Sequence, residues 1–411
     1  MNAVAVVVGQ LGRYRRLLGI RDYRLLWAAQ LVSSYGDRLT QLALAALVYG
    51  ITGSEIGLGL MLTIGQMPRA VFGLPAGAIA DRVSRKTLLV TTDCMRALIV
   101  LVLALWAGVP LSAVYALTIL HATATVFFSP TRYAVLPDIL PSGDLLNANA
   151  LDETTQSAFD PIAFLVGGAV VATVGARAAF GVDSLTFLFS AGLIAITTPR
   201  AAAMWRAERD APQIARAEPA EGLRVLFGDP VLRANLLLML LAGLVASAET
   251  PLVYMLVFSH WGRGSLGLGI LEAGLGAGFV AGGFICGSVV DRIGKGHTIL
   301  IGLAGTGACM VLIAMLPFWP AVLVNIVSGT FNVLFFVPGI TLVQERTPRQ
   351  ARGRVLSSRG SVIAISVFAS YAMATLLTTR VSPQVLMAAM GLTLAAVTAT
   401  AAATVPALRQ R

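Results

Sequence analysis

The stretch Thr298–Leu316, TILIGLAGTGACMVLIAML, carries no charged side chain. A helix that long can cross the roughly 30 Å hydrocarbon layer, which takes about 20 apolar residues. Eleven further windows of similar character follow the same chain, and the twelve run at about 25–49, 56–80, 87–107, 111–131, 154–174, 178–198, 233–257, 267–290, 298–316, 320–343, 360–379 and 383–405. Composition agrees: 57% of residues are hydrophobic and 12% charged, against about 25% charged in soluble domains. A membrane barrel would show short alternating segments, whereas these runs are continuous and read as helices. The expectation is an all-α integral membrane protein with twelve transmembrane helices.

Basic residues are spread unevenly between the two sets of loops. Arg13, Arg15, Arg16, Arg21 and Arg24 precede the first span, and Arg82, Arg85 and Lys86 follow the second. The central loop, the loops after spans 8 and 10 and the last residues continue on that side, while the opposite loops hold Arg177, Arg263 and Arg380. By the positive-inside rule both termini are expected in the cytoplasm, with the protein in the plasma (inner) membrane. The same asymmetry explains the net charge of +10 through topology and anionic lipid, with no need for nucleic acid. Cys94, Cys286 and Cys309 fall inside spans without metal-ligand spacing, so no metal and no disulfide is expected. The apolar start Ala3–Val8 is short and precedes the basic cluster, so the first span is expected to stay uncleaved.

Residues 199–232 interrupt the apolar pattern with Pro199, Pro212, Pro219 and ten charges. This linker separates an N-terminal bundle (25–198) from a C-terminal bundle (233–405), with cytoplasmic segments at 1–24 and 406–411. The halves echo each other at an offset of about 210 residues: Gly77–Lys86 (GAIADRVSRK) matches Gly287–Gly296 (GSVVDRIGKG), and Phe127–Pro130 (FFSP) matches Phe335–Pro338 (FFVP). Repeated order in both halves argues for two pseudo-symmetric six-helix bundles, an architecture in which transporters bind substrate between repeats.

GAIADRVSRK at Gly77–Lys86 resembles the loop signature between spans 2 and 3 of the major facilitator superfamily. RDYRLLW at Arg21–Trp27, Asp93–Ala97 (DCMRA), PTRYAVLPD at Pro130–Asp138, GVDSLTF at Gly181–Phe187 and QERTP at Gln344–Pro348 are similar to its drug:proton antiporter-3 branch, which includes macrolide-efflux and siderophore-export proteins. The resemblance implies a monomeric multidrug-type exporter without cofactors other than the coupling proton, and a link to antibiotic resistance. It also implies that the loop after span 2 stabilises the outward-open state. Two stretches depart from the pattern. Span 5 reads Ala163–Gly168, AFLVGG, where antiporters often carry Gly-Pro-x-x-Gly-Gly, and span 4 offers His121 in place of an embedded arginine.

Charge at membrane depth is costly and persists when paired, cavity-facing or functional. Asp37 on span 1 and Arg69 on span 2 lie at matching depth, about 18 Å from the basic end at 1.5 Å per residue. They are expected to form either a static ion pair or a protonatable, substrate-facing carboxylate held by Arg69. Arg38 points about 100° away around the helix and has no evident partner. Glu249, beside Pro251, is a candidate for a cationic substrate or a proton, or else a vestibule carboxylate in water. Asp93 and Arg96 suit an i,i+3 pair; His121 and Asp160 are secondary candidates. Asp183 and Glu272 lie toward helix ends and carry less weight. Gly274, Gly278, Gly282, Gly283 and Gly287 give span 8 a surface for close helix contact.

The loop residues have different physics. Gly77, Asp81, Arg82, Arg85 and Lys86, with Asp291 and Arg292 in the second copy, sit at the interface, where they can reach lipid phosphates, helix C-termini or the other half as a conformational latch. Arg132 is the expected partner of Asp81. Proton-coupled export of an amphipathic small molecule is the leading reading, with import of a polar solute as the alternative. An enzyme is not expected, since no nucleophile-base pair, metal cluster or nucleotide motif is present.

Overall fold

Without water to satisfy backbone groups, a membrane-crossing chain closes its hydrogen bonds within helices. The computed structural model describes residues 13–80, 83–197, 219–347 and 352–404, and among these the regular structure is helical. The first half comprises α1 (Arg21–Thr52), α2 (Glu55–Ala80), α3 (Arg85–Leu105), α4 (Leu111–Ile139) and a long segment, Leu145–Ala195. The second comprises α7 (Pro219–Gly228), α8 (Pro230–Ala246), α9 (Glu249–Met255), α10 (Gly264–Ile293), α11 (Lys295–Met315), α12 (Phe318–Arg346), α13 (Arg352–Leu377) and α14 (Pro383–Thr404). Nine helices among the described residues are long and apolar enough to cross a membrane.

One of those nine is the 51-residue segment Leu145–Ala195, which at 1.5 Å per residue would run about 77 Å, well over twice a bilayer core. It breaks at Gly175, where φ is 83° and ψ 163°, backbone angles that only glycine adopts cheaply. The result is two arms, α5 (145–174) and α6 (176–195). Ala148 near one end and Ile194 near the other are buried in the same cluster with Tyr23 and Leu26, so the arms form a hairpin. A break comes also in the stretch Val231–His260. Pro251 has no N–H to give the Ser247 carbonyl, and α8 ends at Ala246 before α9 restarts at Glu249 and widens into a π-turn over Leu256–His260.

Within the first half, α1 packs on the α5–α6 hairpin and α3 on α4 and α6; within the second, α12 packs on α10 and α11. Two seams join the halves, α5 against α10 and α2 against α13. In the first, a Cβ on Gly168 would stand 2.7 Å from the Ser265 carbonyl oxygen and 3.1 Å from the Gly269 Cα. Only glycine lets backbones approach so closely. In the second, the Thr63 and Thr375 hydroxyls lie 3.3 Å apart. Gln41 Nε2 donates to Tyr254 Oη at 2.7 Å, and Ser259 Oγ to Glu55 Oε1 at 2.5 Å.

All of these cross-half contacts lie away from the basic end, near the turns that join α1 to α2 and α9 to α10. At the basic end each half buries its own apolar surface, through Leu17, Tyr23, Leu26, Phe128 and Val135 in one and Leu226, Leu232, Leu236, Val343 and Val355 in the other. Among the described residues, the halves therefore meet at the non-basic end and bury separate apolar clusters at the basic end. Leu226 belongs to α7, which places a helix inside the span expected to be a polar linker. Asp229 then caps α8, accepting from Val231 N at 2.7 Å and Leu232 N at 3.0 Å ahead of Pro230. The face of α10 that meets α12 uses Gly278 and Gly282, whereas Gly283 and Gly287 face open space.

Candidate functional site

Asp37 and Arg38 sit mid-helix on α1 and, one residue apart, face different surroundings. Asp37 turns into the first half. Arg96 Nη1 on α3 lies 3.3 Å from its Oδ2, and His121 Nε2 on α4 lies 3.8 Å from its Oδ1. Arg96 also holds Asp93 one turn away, and Asp93 accepts from Ser190 Oγ of α6 at 2.7 Å. The guanidinium lies between the Phe128 and Phe187 rings, at 4.3 and 4.4 Å from their centroids. A cation that is 1% exposed is held there by two carboxylates and two π-faces, which together offset its desolvation. Asp183 joins from α6: fully buried, it accepts from the hydroxyls of Thr40 and Thr186. Two carboxylates thus meet one guanidinium, and a third carboxyl group, Asp183, is held nearby by hydroxyls.

Arg38 turns the other way. Its Nη2 and Nε reach Asp160 Oδ2 and Oδ1 of α5 at 2.8 and 3.2 Å, and it stands 5.1 Å over the Phe164 ring. This two-pronged pair lines a cavity of about 480 Å³ between the halves, together with Gln41, Gln66, Glu272 and Tyr371. A second cavity, about 310 Å³, opens beside it inside the second half and is lined by Glu249, Asn325, Asn332, Phe335 and Phe336. Thr250, Glu272, Leu275, Phe279 and Tyr371 line both. Glu249 accepts from Ser328 Oγ at 3.2 Å. Asp37, Asp93, Arg96, His121 and Asp183 line neither cavity.

The expected Asp37–Arg69 pair does not form. Arg69 is exposed, and Asp37 is met by Arg96 instead. Matching depth places two residues at one height, but α1 packs chiefly on the hairpin, and the Asp37 side chain is directed to Arg96 of α3 and His121 of α4. The expected Asp93–Arg96 pair is present, with Asp37 added to it. Arg38, which had no evident partner, has Asp160. Glu272 and Asp183, given less weight from the sequence, each lie eight residues inside a helix, counted from Gly264 and Gly175. That is about 12 Å deep, where Asp183 is fully buried and Glu272 half-buried on the cavities. Among the described residues no group of three or more His, Cys, Asp or Glu side chains is placed to hold a metal ion.

At the basic end, Asp81 and Arg82 lie outside the described residues, so the Asp81–Arg132 contact does too; Gly77 is in the last turns of α2. Arg132 Nη1 is 2.5 Å from Asp152 Oδ2, a carboxylate that also receives Tyr23 Oη at 3.2 Å, tying α4, α5 and α1 together. Arg85 donates to Asp138 at 2.8 Å, and Lys86 to the carbonyls of Ala195 at 2.7 Å and Thr197 at 3.1 Å, at the C-terminus of α6. Lys295 and Glu345 repeat the Arg85–Asp138 pair in the second half. Asp291 and Arg292 are exposed at the end of α10. In this conformation these cations hold helix ends within their own half.

Comparison with known proteins matches this architecture. The Major Facilitator Superfamily profile matches residues 26–370 and 251–409. Macrolide efflux protein A of Streptococcus pyogenes is 24% identical over 353 residues, covering 83% of this chain and 85% of that protein. The multidrug efflux pump Tap of Mycolicibacterium fortuitum is 28% identical over 351 residues, covering 82% and 84%. The enterobactin exporter EntS of Salmonella typhi is 26% identical over 342 residues, covering 81% and 80%. In fold, a peptide transporter solved with alafosfalin superposes with a TM-score of 0.74 at 12% identity, covering 95% of each chain. A POT family transporter bound to a thioalcohol-conjugated peptide gives 0.74 at 9% identity, covering 96% of this chain and 97% of that one. The sequence match along almost the whole chain, the helical bundle in two halves and the cavity between them lead to one conclusion: the chain belongs to the Major Facilitator Superfamily, as a multi-pass membrane transporter and not an enzyme.

Proposed function

We propose that this transporter exports an amphipathic small molecule from the cytoplasm by alternating access, in exchange for protons. The observation that carries the reading is the cavity between the halves at Arg38, Asp160 and Glu272, whose lining extends toward the basic end at Glu153 and Gln156, with the Gly168–Gly269 seam packed toward the other end. The positive-inside rule makes the basic end cytoplasmic, so this conformation faces inward and is ready to load. The nine apolar helices, with the second arm of the hairpin, α1 and α2, supply the twelve spans of the family plan. The efflux proteins of the preceding comparison support export, and they differ enough in cargo that no particular compound follows.

Coupling is assigned to the cluster at Arg96. With Asp37 ionised, Arg96 is shared between Asp37 and Asp93. With Asp37 protonated, that attraction is lost and α1 is freed from α3, which biases the bundle toward a different conformation; a differential contact of this kind is what coupling requires. Asp37 retains 29% of its side-chain exposure, which gives protons access. Import of a polar solute is the second reading, favoured by Gln41, Gln66, Gln156 and Asn325 along the cavities. Proteoliposomes of known orientation decide between them: export predicts substrate moving against an opposing proton flux, whereas uptake driven in the same direction as protons would establish the alternative.

A further inference from the structure

We propose that Asp160 and Glu272 form a binding site for the cationic head of the transported molecule, and that Arg38 is the resident cation which that head displaces. This rests on the transporter reading above and adds the charge class of the substrate.

The cavity between the halves contains Arg38, Asp160 and Glu272, with Glu153 also in its lining. Arg38 is committed to Asp160 by two hydrogen bonds, while Glu272, on α10 of the opposite half, is within electrostatic reach of both. No basic group is in ion-pair contact with Glu272 among the described residues. A single guanidinium therefore answers several carboxylates in a space large enough for a ligand, a balance that a second cation restores. Phe164 already stacks beneath the Arg38 guanidinium at 5.1 Å, and Phe279 lines both cavities; aromatic faces of this kind attract a soft organic cation. Phe335 and Phe336 continue the apolar wall into the neighbouring cavity, which suits the hydrocarbon body of an amphipathic amine or quaternary ammonium.

The arrangement also gives Arg38 a reason to follow Asp37 in the chain. A ligand cation that takes over Asp160 releases Arg38 from α5, and Arg38 is covalently next to the residue held by Arg96. Substrate and proton thus act on adjacent residues of one helix without competing for one carboxylate. Glu272 and Asp160 come from different halves, so a cation between them also draws those halves together.

The test measures equilibrium binding to the purified full-length protein, using tetraphenylphosphonium as the cationic probe and triphenylphosphine oxide as its neutral counterpart. Glu272→Gln is expected to weaken tetraphenylphosphonium by about tenfold or more, the effect of removing one partner of a desolvated charge pair, and to leave the neutral probe unchanged. Arg38→Gln is expected to tighten tetraphenylphosphonium by removing the internal competitor. Equal loss of both probes in Glu272→Gln, or loss of neither, would overturn the site; weaker cation binding in Arg38→Gln would overturn displacement. Should Glu272→Gln fail to fold, Glu272→Asp keeps the charge and is expected to retain preference for the cation, and loss of that preference counts against the proposal. Binding is read without a gradient, so a protein that binds the cation through Glu272 but shows no proton-linked flux would refute the coupling mechanism and leave this site standing.

Discussion

Asp37 and Arg38 are consecutive on α1, yet Asp37 meets Arg96 at 3.3 Å inside the first half while Arg38 grips Asp160 at 2.8 Å in the cavity between the halves. The dipeptide spans the wall between a largely buried charge cluster and the cavity between the halves. The 100° step of an α-helix is enough to do this. On the proposed exchange mechanism, proton and substrate act on neighbouring residues of one short segment.

Asp37→Asn is the first prediction. The variant should bind substrate with affinity close to the parent protein, since Asp37 does not line either cavity. Its transport should no longer respond to a pH gradient in proteoliposomes. Arg69→Gln is the control, because Arg69 is exposed and away from the cluster; gradient-driven flux is expected to persist there. A gradient response retained in Asp37→Asn and lost in Arg69→Gln would reverse the assignment.

Arg96→Gln should be far more damaging to the fold than Asp37→Asn. Asp93 is fully buried and leans on Arg96, so removing the guanidinium leaves a buried carboxylate without its cation, at about 3–5 kcal/mol. Asp37→Asn leaves the Asp93–Arg96 pair intact and alters a partly exposed group, for which about 1 kcal/mol or less is expected. Thermal unfolding of the purified proteins reads the difference, and similar midpoints for the two variants would contradict this account of the cluster.

At the basic end, a double-mutant cycle on Arg132→Gln and Asp152→Asn should show coupling of about 2 kcal/mol, as for neighbours in one network. The side chains are 4% and 6% exposed and 2.5 Å apart. The same cycle on Arg132 and Asp81 tests the latch first expected from the loop signature. Additive effects for Arg132 and Asp152 would show that their contact contributes nothing to stability.

The sequence made the helices, their order and the sidedness of the basic residues legible, because apolar length and charge placement are local properties. Which residues face each other was less so. Arg69 and Arg96 are both arginines at membrane depth, and counting residues along a span gives height without direction around the helix. Choosing between them needs the packing order of the bundle, in which α1 lies against the α5–α6 hairpin and Asp37 reaches Arg96 through its side chain. Arg38 and Asp160 are separated by 122 positions, and no spacing rule links them. Glu272 and Asp183 carry a readable signal, a depth of about two turns inside their helices, where the outer part of a span is not solvated. The span-5 stretch ending in Gly167-Gly168 serves two contacts: Phe164 and Gly168 meet α10 across the halves, while Gly167 lies against Leu39 and Leu42 of α1.

That seam gives the last prediction. A Cβ at Gly168 would approach the Ser265 carbonyl at 2.7 Å and the Gly269 Cα at 3.1 Å, and both obstacles are backbone, which cannot rotate aside. Gly168→Ala should therefore disfavour the closed seam at the non-basic end, and Gly168→Val should do so more strongly. A shift from mostly closed to mostly open needs only a few kcal/mol, within reach of one steric clash. The readout is labelling of Ser259→Cys, in a background lacking Cys94, Cys286 and Cys309, by a membrane-impermeant thiol reagent. Ser259 Oγ is bonded to Glu55 of α2 at 2.5 Å, across the halves at the same end as the Gly168 seam, so parting of the halves there exposes it further. Labelling should accelerate in the order Gly, Ala, Val at position 168, and rates independent of that residue would show that the seam does not govern closure at this end.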